Sequence, residues 1–142
     1  MLKYRVLKIF TDGGARGNPG PAGIGAVLKN EADELLVEIS EYIGETTNNQ
    51  AEYKALLAAL ERASLLNAEE VHCYLDSELV VKQARREYKV KHPDLAPLFL
   101  QLHNLSCRFR KITFTHVRRE LNKEADALVN LALDKQMSVR MS

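Results

Sequence analysis

Residues 5–14 read RVLKIFTDGG, an apolar segment that ends in a carboxylate and two glycines. The Val, Leu, Ile and Phe content predicts a strand over Arg5–Thr11 that stops at Asp12. Glycines and prolines interrupt residues 15–23, which predicts a loop there. Three successive strands joined by loops favour an antiparallel meander. The second and third strands of this meander are predicted over Ile24–Lys29 and Glu34–Ile43.

Helical patterns follow the three strands. Residues 46–49 (TTNN) supply N-cap candidates for a helix predicted over Gln50–Leu66. The order βββαβααβα predicts one α/β domain over residues 1–142, with a mixed five-stranded sheet of three antiparallel and two parallel strands flanked by helices. The later elements are predicted as strands Val71–Leu75 and Lys111–Val117, helices Ser77–Arg86, Leu95–Leu105 and Asn122–Gln136, and a frayed tail at 137–142.

The charges nearly cancel in total. The 142 residues include 20 Lys and Arg against 19 Asp and Glu. This balance excludes a strongly basic coat protein and a disordered acidic tail. It does not exclude nucleic-acid binding, because the charges are separated along the chain. Residues 30–52 carry only acidic charges, whereas residues 82–92 hold five Lys or Arg and one Glu.

The sequence also bears on location. No apolar run approaches the roughly 20 residues that span a bilayer. The N-terminal segment lacks the apolar stretch of a secretory signal. Cys73 and Cys107 are expected to be reduced thiols of a cytoplasmic protein, since two distant cysteines form neither a disulfide framework nor a zinc site. We therefore expect no membrane association and, by default, a monomer.

Four acidic residues occupy unusual positions. Asp12 and Asp76 each follow an apolar strand directly, where the ligands of α/β sheets collect. Glu52 shares the apolar face of its helix, and Asp126 borders the inward face of the last helix. Burying a carboxylate is costly unless it is paired or binds a metal. No basic residue shares the face of Glu52, so the pattern favours a metal site.

Each carboxylate by itself also has an ordinary structural interpretation. Asp76 with Ser77 can cap a helix, Glu52 can interact with a helix dipole, and Asp126 can be a boundary residue. Together they favour one site, and all-oxygen ligands suit Mg²⁺ or Mn²⁺. Two such ions about 3.5–4 Å apart form the clamp used for in-line phosphodiester displacement.

Four segments resemble the motifs of type 1 ribonuclease H (ribonuclease HI), in the order found in that family. They are FTDGGARGNPGPAG at 10–23, TTNNQAE at 46–52, LDS at 75–77 and NKEADAL at 122–128. The resemblance covers nearly the whole chain and implies the ribonuclease H fold. It also implies hydrolysis of the RNA strand of an RNA/DNA hybrid, leaving a 3′-hydroxyl and a 5′-phosphate.

The resemblance assigns roles to the four carboxylates. It implies two Mg²⁺ ions, for which Mn²⁺ can substitute. Asp12 would bridge both ions, and Glu52 and Asp76 would complete the ion at the leaving group. Asp126 would hold the ion that activates water.

The resemblance also implies substrate contacts. Asn18 and Thr47 match positions that hold a DNA-strand phosphate, and Asn48 and Asn49 match residues in the minor groove of the hybrid. Such contacts need no sequence preference, so little sequence specificity is expected. From the residues alone, the loop can be an ordinary connection and the asparagines can be helix caps. The expected substrate-binding set is completed by Gly13, Gly14 and Gln50.

Two parts of the chain depart from the family pattern. The segment between Thr115 and Asn122 is too short for the flexible histidine loop of many members, and His116 is expected to be structural or solvent-facing. Arg118, Arg119 and Glu120 are accessory candidates in that space. Family members also carry a basic protrusion, an extra helix and loop after the second helix, which here is absent or reduced to residues 82–92. These residues form either a solvated helix face or a contact to the duplex backbone.

Three other functions are compatible with parts of this sequence pattern. A catalytically silent nucleic-acid-binding relative is disfavoured by the presence of all four carboxylates. A phosphotransferase or ATPase usually needs two domains around its nucleotide, and the motifs differ from those of a 3′–5′ exonuclease. The expected partner is an RNA/DNA hybrid, with double-stranded RNA as an untested second substrate.

Overall fold

The computed structural model describes the backbone of residues 5–141 and the side chains of residues 5–139. The element order of the sequence prediction is confirmed. No helix in the described part combines the length and apolar character needed to cross a membrane. The elements are β1 (Val6–Ala15), β2 (Gly20–Lys29), β3 (Leu35–Thr46), α1 (Asn48–Leu65), β4 (Glu70–Leu75), α2 (Glu78–Ala84), α3 (Ala96–Ser106), β5 (Lys111–His116), a 3₁₀ helix (Arg119–Leu121) and α4 (Lys123–Met141).

The five strands form one mixed sheet in the order β3-β2-β1-β4-β5. β2 pairs antiparallel with β1 and β3, whereas β4 pairs in parallel with β1 and β5. The sheet is therefore the predicted combination of a meander with two parallel strands. Its central strand, β1, has an antiparallel neighbour on one side and a parallel neighbour on the other.

Helices cover both faces of the sheet. A Cβ atom added at Gly13 would meet Ala51 of α1, whereas one added at Gly14 would meet Val129 of α4. Adjacent strand residues point to opposite faces, so α1 and α4 lie on opposite sides of β1. The main hydrophobic core lies on the α1 side, where Leu7 and other β1 residues are fully buried with α1 and α3.

The first two strands are longer than the sequence predicts. β1 continues to Ala15 and β2 begins at Gly20, so residues 20–23 are strand and the predicted loop is wrong there. The predicted loop includes Gly20 and Gly23, but both lie in β2, where Gly23 and Gly25 pack closely against α4. A Cβ at Gly25 would lie 2.2 Å from the carbonyl oxygen of Ala125 in α4. A side chain at this position would therefore collide with α4, and glycine lets the β2 and α4 backbones pack closely.

The last helix is also longer than expected. α4 continues to Met141, although fraying was predicted for residues 137–142, and Ser142 lies outside the described residues. Adding residues to an existing helix costs little, which allows this largely exposed end to remain helical. α2 is shorter than predicted and ends at Ala84.

Candidate active site

The register of two parallel strands brings two carboxylates together. β1 and β4 pair up to Thr11, which lies opposite Leu75. The next residue on each chain segment is an aspartate, Asp12 and Asp76. Parallel strands end at the same edge of a sheet, so these two side chains are neighbours. The hydroxyl of Ser77, rather than Asp76, caps α2, which leaves the Asp76 carboxylate free for the site.

Glu52 enters the same site from α1. The absence of a side chain at Gly13 lets β1 approach α1 closely, since a Cβ there would lie 2.3 Å from the carbonyl oxygen of Ala51. The backbone N–H of Gly13 donates a 2.6 Å hydrogen bond to Glu52 Oε1. The glycine that was expected to contact substrate therefore also fixes the position of a carboxylate.

Asp12, Glu52 and Asp76 form a compact acidic cluster. Each contributes a carboxylate oxygen, and these three oxygens lie within 4.8 Å of one another. Asp12 is 8% exposed and Glu52 is 9% exposed. Arg119 Nε lies 3.9 Å from Asp76 Oδ2, and in the described part of the chain no other ion pair reaches the cluster. The negative charge is therefore poorly compensated by the protein itself.

Burial and repulsion raise the pKa values of Asp12 and Glu52. Burial, followed by the charge of Asp76, raises the pKa of Asp12 to about 8. Burial and the charge of Asp12 also raise the pKa of Glu52 well above its ordinary range, although the Gly13 N–H opposes this shift. A divalent cation among the carboxylates would favour their charged forms and reverse both effects.

Three buried polar atoms beside the cluster have no hydrogen-bond partner among the described residues. They are Asp76 Oδ2, Thr11 Oγ1 and Asn122 Oδ1. Buried polar atoms are nearly always hydrogen-bonded, so a carboxylate oxygen whose nearest charged partner is Arg119 Nε at 3.9 Å indicates a missing partner. The donor set is all oxygen and partly buried. It therefore fits a hard divalent cation such as Mg²⁺ or Mn²⁺ and does not fit zinc, which prefers nitrogen and sulfur.

Asp126 reaches the site from α4. The side-chain amide of Asn122 donates a 2.8 Å hydrogen bond to the carbonyl oxygen of Thr11, which fixes the start of α4 against β1. Asn122 directly precedes α4, where an N-cap residue would lie, but its side chain bonds to β1. Asp126 lies in the wall of the same cleft and contributes to the raised pKa of Asp12, while remaining outside the tight group of three.

The expected substrate residues form a hydrogen-bonded frame at one end of the cleft. Asn18 Oδ1 accepts the backbone N–H of Asn48 at 2.9 Å, and Asn48 Oδ1 accepts that of Ala15 at 2.8 Å. The Thr47 hydroxyl accepts the N–H of Gln50 and caps α1. These bonds attach the β1–β2 connection to the first turn of α1, so the structural interpretation of these residues holds alongside any substrate role.

The cleft has a volume of about 420 Å³ and includes residues that sequence reasoning missed. The expected Gly14 and Asn49 line it, and so do Arg16 and Asn130. Asn130 follows Asp126 by four positions and therefore shares its helix face, which is a signal that the sequence already carried. Arg16 lies inside the first motif, but nothing in its spacing distinguishes it from an ordinary exposed arginine.

Of the three accessory candidates, one lines the cleft and two do not. Arg119 begins the 3₁₀ helix and lines the cleft, with a side chain that is 83% exposed. Arg118 and Glu120 are exposed and do not line it. His116 is the exposed last residue of β5, as expected for a solvent-facing residue.

Comparison with known proteins places this cleft in a family. A family model described as reverse transcriptase-like matches residues 10–132. A ribonuclease H from Chromohalobacter salexigens is 35% identical, and the match covers 91% of this chain and 85% of that protein. The chain belongs to the ribonuclease H family. The predicted family is thereby confirmed, and the short connection before α4 is consistent with a short form of this ribonuclease H domain.

Other relatives of the ribonuclease H domain are longer. Ribonuclease HI from Halobacterium salinarum is 42% identical over 88% of the domain and 63% of its own length. The bifunctional protein Rv2228c from Mycobacterium tuberculosis is 47% identical over 89% of the domain. The domain spans 35% of the length of Rv2228c, or about a third of that protein.

Solved structures confirm the ribonuclease H-like fold. RNase H1 from Halobacterium salinarum has a TM-score of 0.89 at 41% identity, over 92% of the domain and 98% of that chain. LC11-RNase H1, isolated from compost by a metagenomic approach, has a TM-score of 0.88 at 47% identity, over 92% of the domain and 99% of that chain. The latter structure is a complex with an RNA/DNA hybrid.

Proposed function

We propose that this chain is an endonuclease that hydrolyses the RNA strand of RNA/DNA hybrids and leaves 3′-hydroxyl and 5′-phosphate ends. The observation that carries the proposal is the cluster of Asp12, Glu52 and Asp76, with oxygens within 4.8 Å. Asp76 also has a buried carboxylate oxygen, Oδ2, without a hydrogen-bond partner among the described residues. The hybrid bound by the similar LC11-RNase H1 supports the choice of substrate.

The proposed metal content is two Mg²⁺ ions, with Mn²⁺ as a substitute. Asp12 would contact both ions, Glu52 and Asp76 would complete one site, and Asp126 would hold the second ion. When bound, such a pair of ions activates a water molecule for attack on the phosphodiester and stabilises the leaving oxygen. The position of Asp126 outside the tight group of three supports its assignment to a second ion.

The protein's own groups orient these ligands. The Gly13 N–H holds Glu52 Oε1, and the Asn122 amide fixes the helix that carries Asp126 against β1. Arg119 can stabilise the negative charge of a phosphate from the rim of the cleft. It cannot act as a general acid or base, because the guanidinium stays protonated at ordinary pH.

The hybrid is proposed to lie along the frame formed by the β1–β2 connection and the first turn of α1. The side-chain oxygens of Asn18 and Asn48 accept backbone N–H groups, which leaves their amide N–H₂ groups as donors. Asn49 and Gly14 line the cleft beside them. Donors of this kind suit phosphate oxygens and 2′-hydroxyls and carry no sequence preference.

A substrate panel tests the proposal. The protein is incubated in Mg²⁺ with end-labelled RNA/DNA hybrid, double-stranded RNA, single-stranded RNA and double-stranded DNA of the same sequence. We expect internal cuts in the RNA of the hybrid and none in single strands or DNA. The arm with double-stranded RNA measures how strictly the DNA strand is required. Cleavage of single-stranded RNA as fast as hybrid would contradict the proposal.

The catalytically silent relative is the second candidate, and the panel separates it from the first. That candidate predicts hybrid binding without any cleavage in Mg²⁺ or Mn²⁺. The complete set of four carboxylates in one cleft favours the enzyme. We further propose that the protein is a monomer and that it lies in the cytoplasm; the free thiols of Cys73 and Cys107 support the proposed location. Sedimentation equilibrium measures the mass of the particle in solution and so tests whether the protein is a monomer.

A further inference from the structure

A second concave surface lies at the far end of α2 and has no part in the proposed reaction. We call it the α2–α3 groove; it has a volume of about 560 Å³. Its floor is one face of α3, formed by Ala96, Phe99, Leu100 and His103 at the spacing i, i+3, i+4 and i+7. Its wall is the segment between α2 and α3, including Tyr88.

The floor of the α2–α3 groove leaves apolar surface in contact with water. Leu100 is 59% exposed and Tyr88 is 46% exposed, and both line the groove. Phe99 and Val90 between them are only half-buried and pack against the main core from below. A groove lined by apolar side chains with a few polar groups at its rim is typical of a binding site.

The rim of the groove carries cations without carboxylate partners. Arg86 donates a 2.8 Å hydrogen bond to His103 Nδ1, a neutral acceptor. Throughout residues 5–139, no carboxylate lies within ion-pair distance of Arg86 or Lys89. The neighbouring Arg85 differs, because it pairs with Glu87 at 3.0 Å. The groove therefore presents positive charge that an external anion can neutralise.

We propose that the α2–α3 groove binds a short acidic segment of a partner protein that carries large apolar side chains. Carboxylates of that segment would pair with Arg86 and Lys89, while its apolar side chains would cover Phe99 and Leu100. The floor runs over eight residues of helix, a rise of about 10 Å, which matches three or four extended residues. A sugar-phosphate chain would neutralise the cations but would leave the aliphatic part of the floor exposed.

The groove is separate from the acidic cleft. α2 begins beside the cleft at Ser77 and ends at the groove, and its seven residues span roughly 10 Å. A bound peptide would therefore leave the carboxylates accessible. The inference does not depend on the nuclease activity, so it can fail or succeed independently of the proposed function.

Fluorescence anisotropy tests the inference with a labelled peptide of sequence Asp-Asp-Leu-Phe-Asp-Leu and the full chain. We expect saturable micromolar binding that is lost when serine replaces Leu and Phe in the peptide. Loss of a central apolar or charged contact should weaken binding at least about tenfold. Leu100→Glu and Arg86→Gln should therefore weaken the peptide complex.

Matched variants serve as controls. Leu131→Glu changes an equally exposed leucine on α4, and Arg85→Gln changes the neighbouring arginine that already has a carboxylate partner. Both should bind the peptide as the natural chain does, and Leu100→Glu should cleave hybrid normally. Absence of binding, or equal binding by all four variants, would overturn the inference. It would also fail if Leu100→Glu weakened hybrid binding and single-stranded DNA displaced the peptide, since the groove would then be a nucleic-acid surface.

Discussion

Helix α2 connects two regions whose charges are unbalanced in opposite directions. At its start, the acidic cleft holds Asp12, Glu52 and Asp76, and among the described residues the ion pair that reaches them is the one from the exposed Arg119, 3.9 Å from Asp76. At its end, the α2–α3 groove presents Arg86 and Lys89, and no carboxylate in the described part of the chain lies within ion-pair distance of either. The first region is buried, whereas the second is largely exposed.

The difference indicates what each region requires from outside. Buried like charges raise one another's pKa, so the acidic cleft needs a compact, highly charged cation to keep its carboxylates ionised. Exposed cations over apolar side chains are already hydrated and incur no such penalty. The groove therefore suits a weaker and larger partner whose affinity depends mostly on covering apolar surface. We expect the strongest mutational effects in the cleft.

Removing one carboxylate from the acidic cleft should have the largest effect on activity. Asp76→Asn retains the shape of the side chain but removes the charge that would hold a cation. We expect hybrid cleavage to fall by roughly a thousandfold or more, since residues that act as a unit fail together. Single-turnover cleavage rates measure the effect. Asp94→Asn, an exposed aspartate before α3, is the control and should cleave normally. Asp76→Asn with ordinary rates would contradict the site assignment.

The repulsion within the cleft should appear in the pH dependence of stability. The pKa of Asp12 is raised from 3.8 to about 8, so the folded chain keeps a proton that the unfolded chain releases. Stability of the metal-free protein should fall as pH rises between these values, by up to about 1.4 kcal/mol per pH unit for this group. Urea unfolding at a series of pH values measures this change in the free energy of unfolding. Asp12→Asn should reduce the slope, and an unchanged slope would contradict the account.

The close contact between β1 and α1 gives a smaller effect on stability. Gly13→Ala would place a Cβ against the backbone of Ala51, so we expect a loss of about 1–3 kcal/mol in the free energy of unfolding. Gly14→Ala is a matched control, because its Cβ would lie at an ordinary 3.7 Å from Val129. Equal unfolding midpoints for the two variants would show that the approach of β1 to α1 is not tight.

The arginines beside the cleft should have the smallest effect. Arg119 lines the cleft and Arg118 does not. Because the Arg119 side chain is largely exposed, we expect Arg119→Ala to lower kcat/KM only about fivefold. Arg118→Ala should stay within about twofold, as for an ordinary surface change. Steady-state kinetics on hybrid compare them, and the reverse ranking would contradict the placement of the 3₁₀ helix.

Much of the site follows from patterns in the sequence. Asp12 and Asp76 follow strands of apolar residues, and the parallel register then makes them neighbours. Glu52 was predicted on the inward face of its helix, and it is buried there. These inferences succeeded because strand and helix periodicity fix the direction in which a side chain points.

Other features depend on contacts between distant segments and could not be predicted. The sequence places Gly25 in a strand but does not indicate its close contact with Ala125, because that contact arises only when α4 packs on the sheet. Asn122 bonds to Thr11 instead of capping its own helix, since α4 packs on β1. The α2–α3 groove likewise forms only when the segment around Tyr88 folds against α3.

The central claim is that the acidic cleft works only when divalent cations balance its carboxylates. A titration of single-turnover hybrid cleavage with Mg²⁺, starting from EDTA-treated protein, tests it most directly. We expect no cuts in EDTA and a rate that rises more steeply than first order in Mg²⁺, as two bound ions require. Cleavage that persists in EDTA, or no cleavage with either Mg²⁺ or Mn²⁺, would contradict the account.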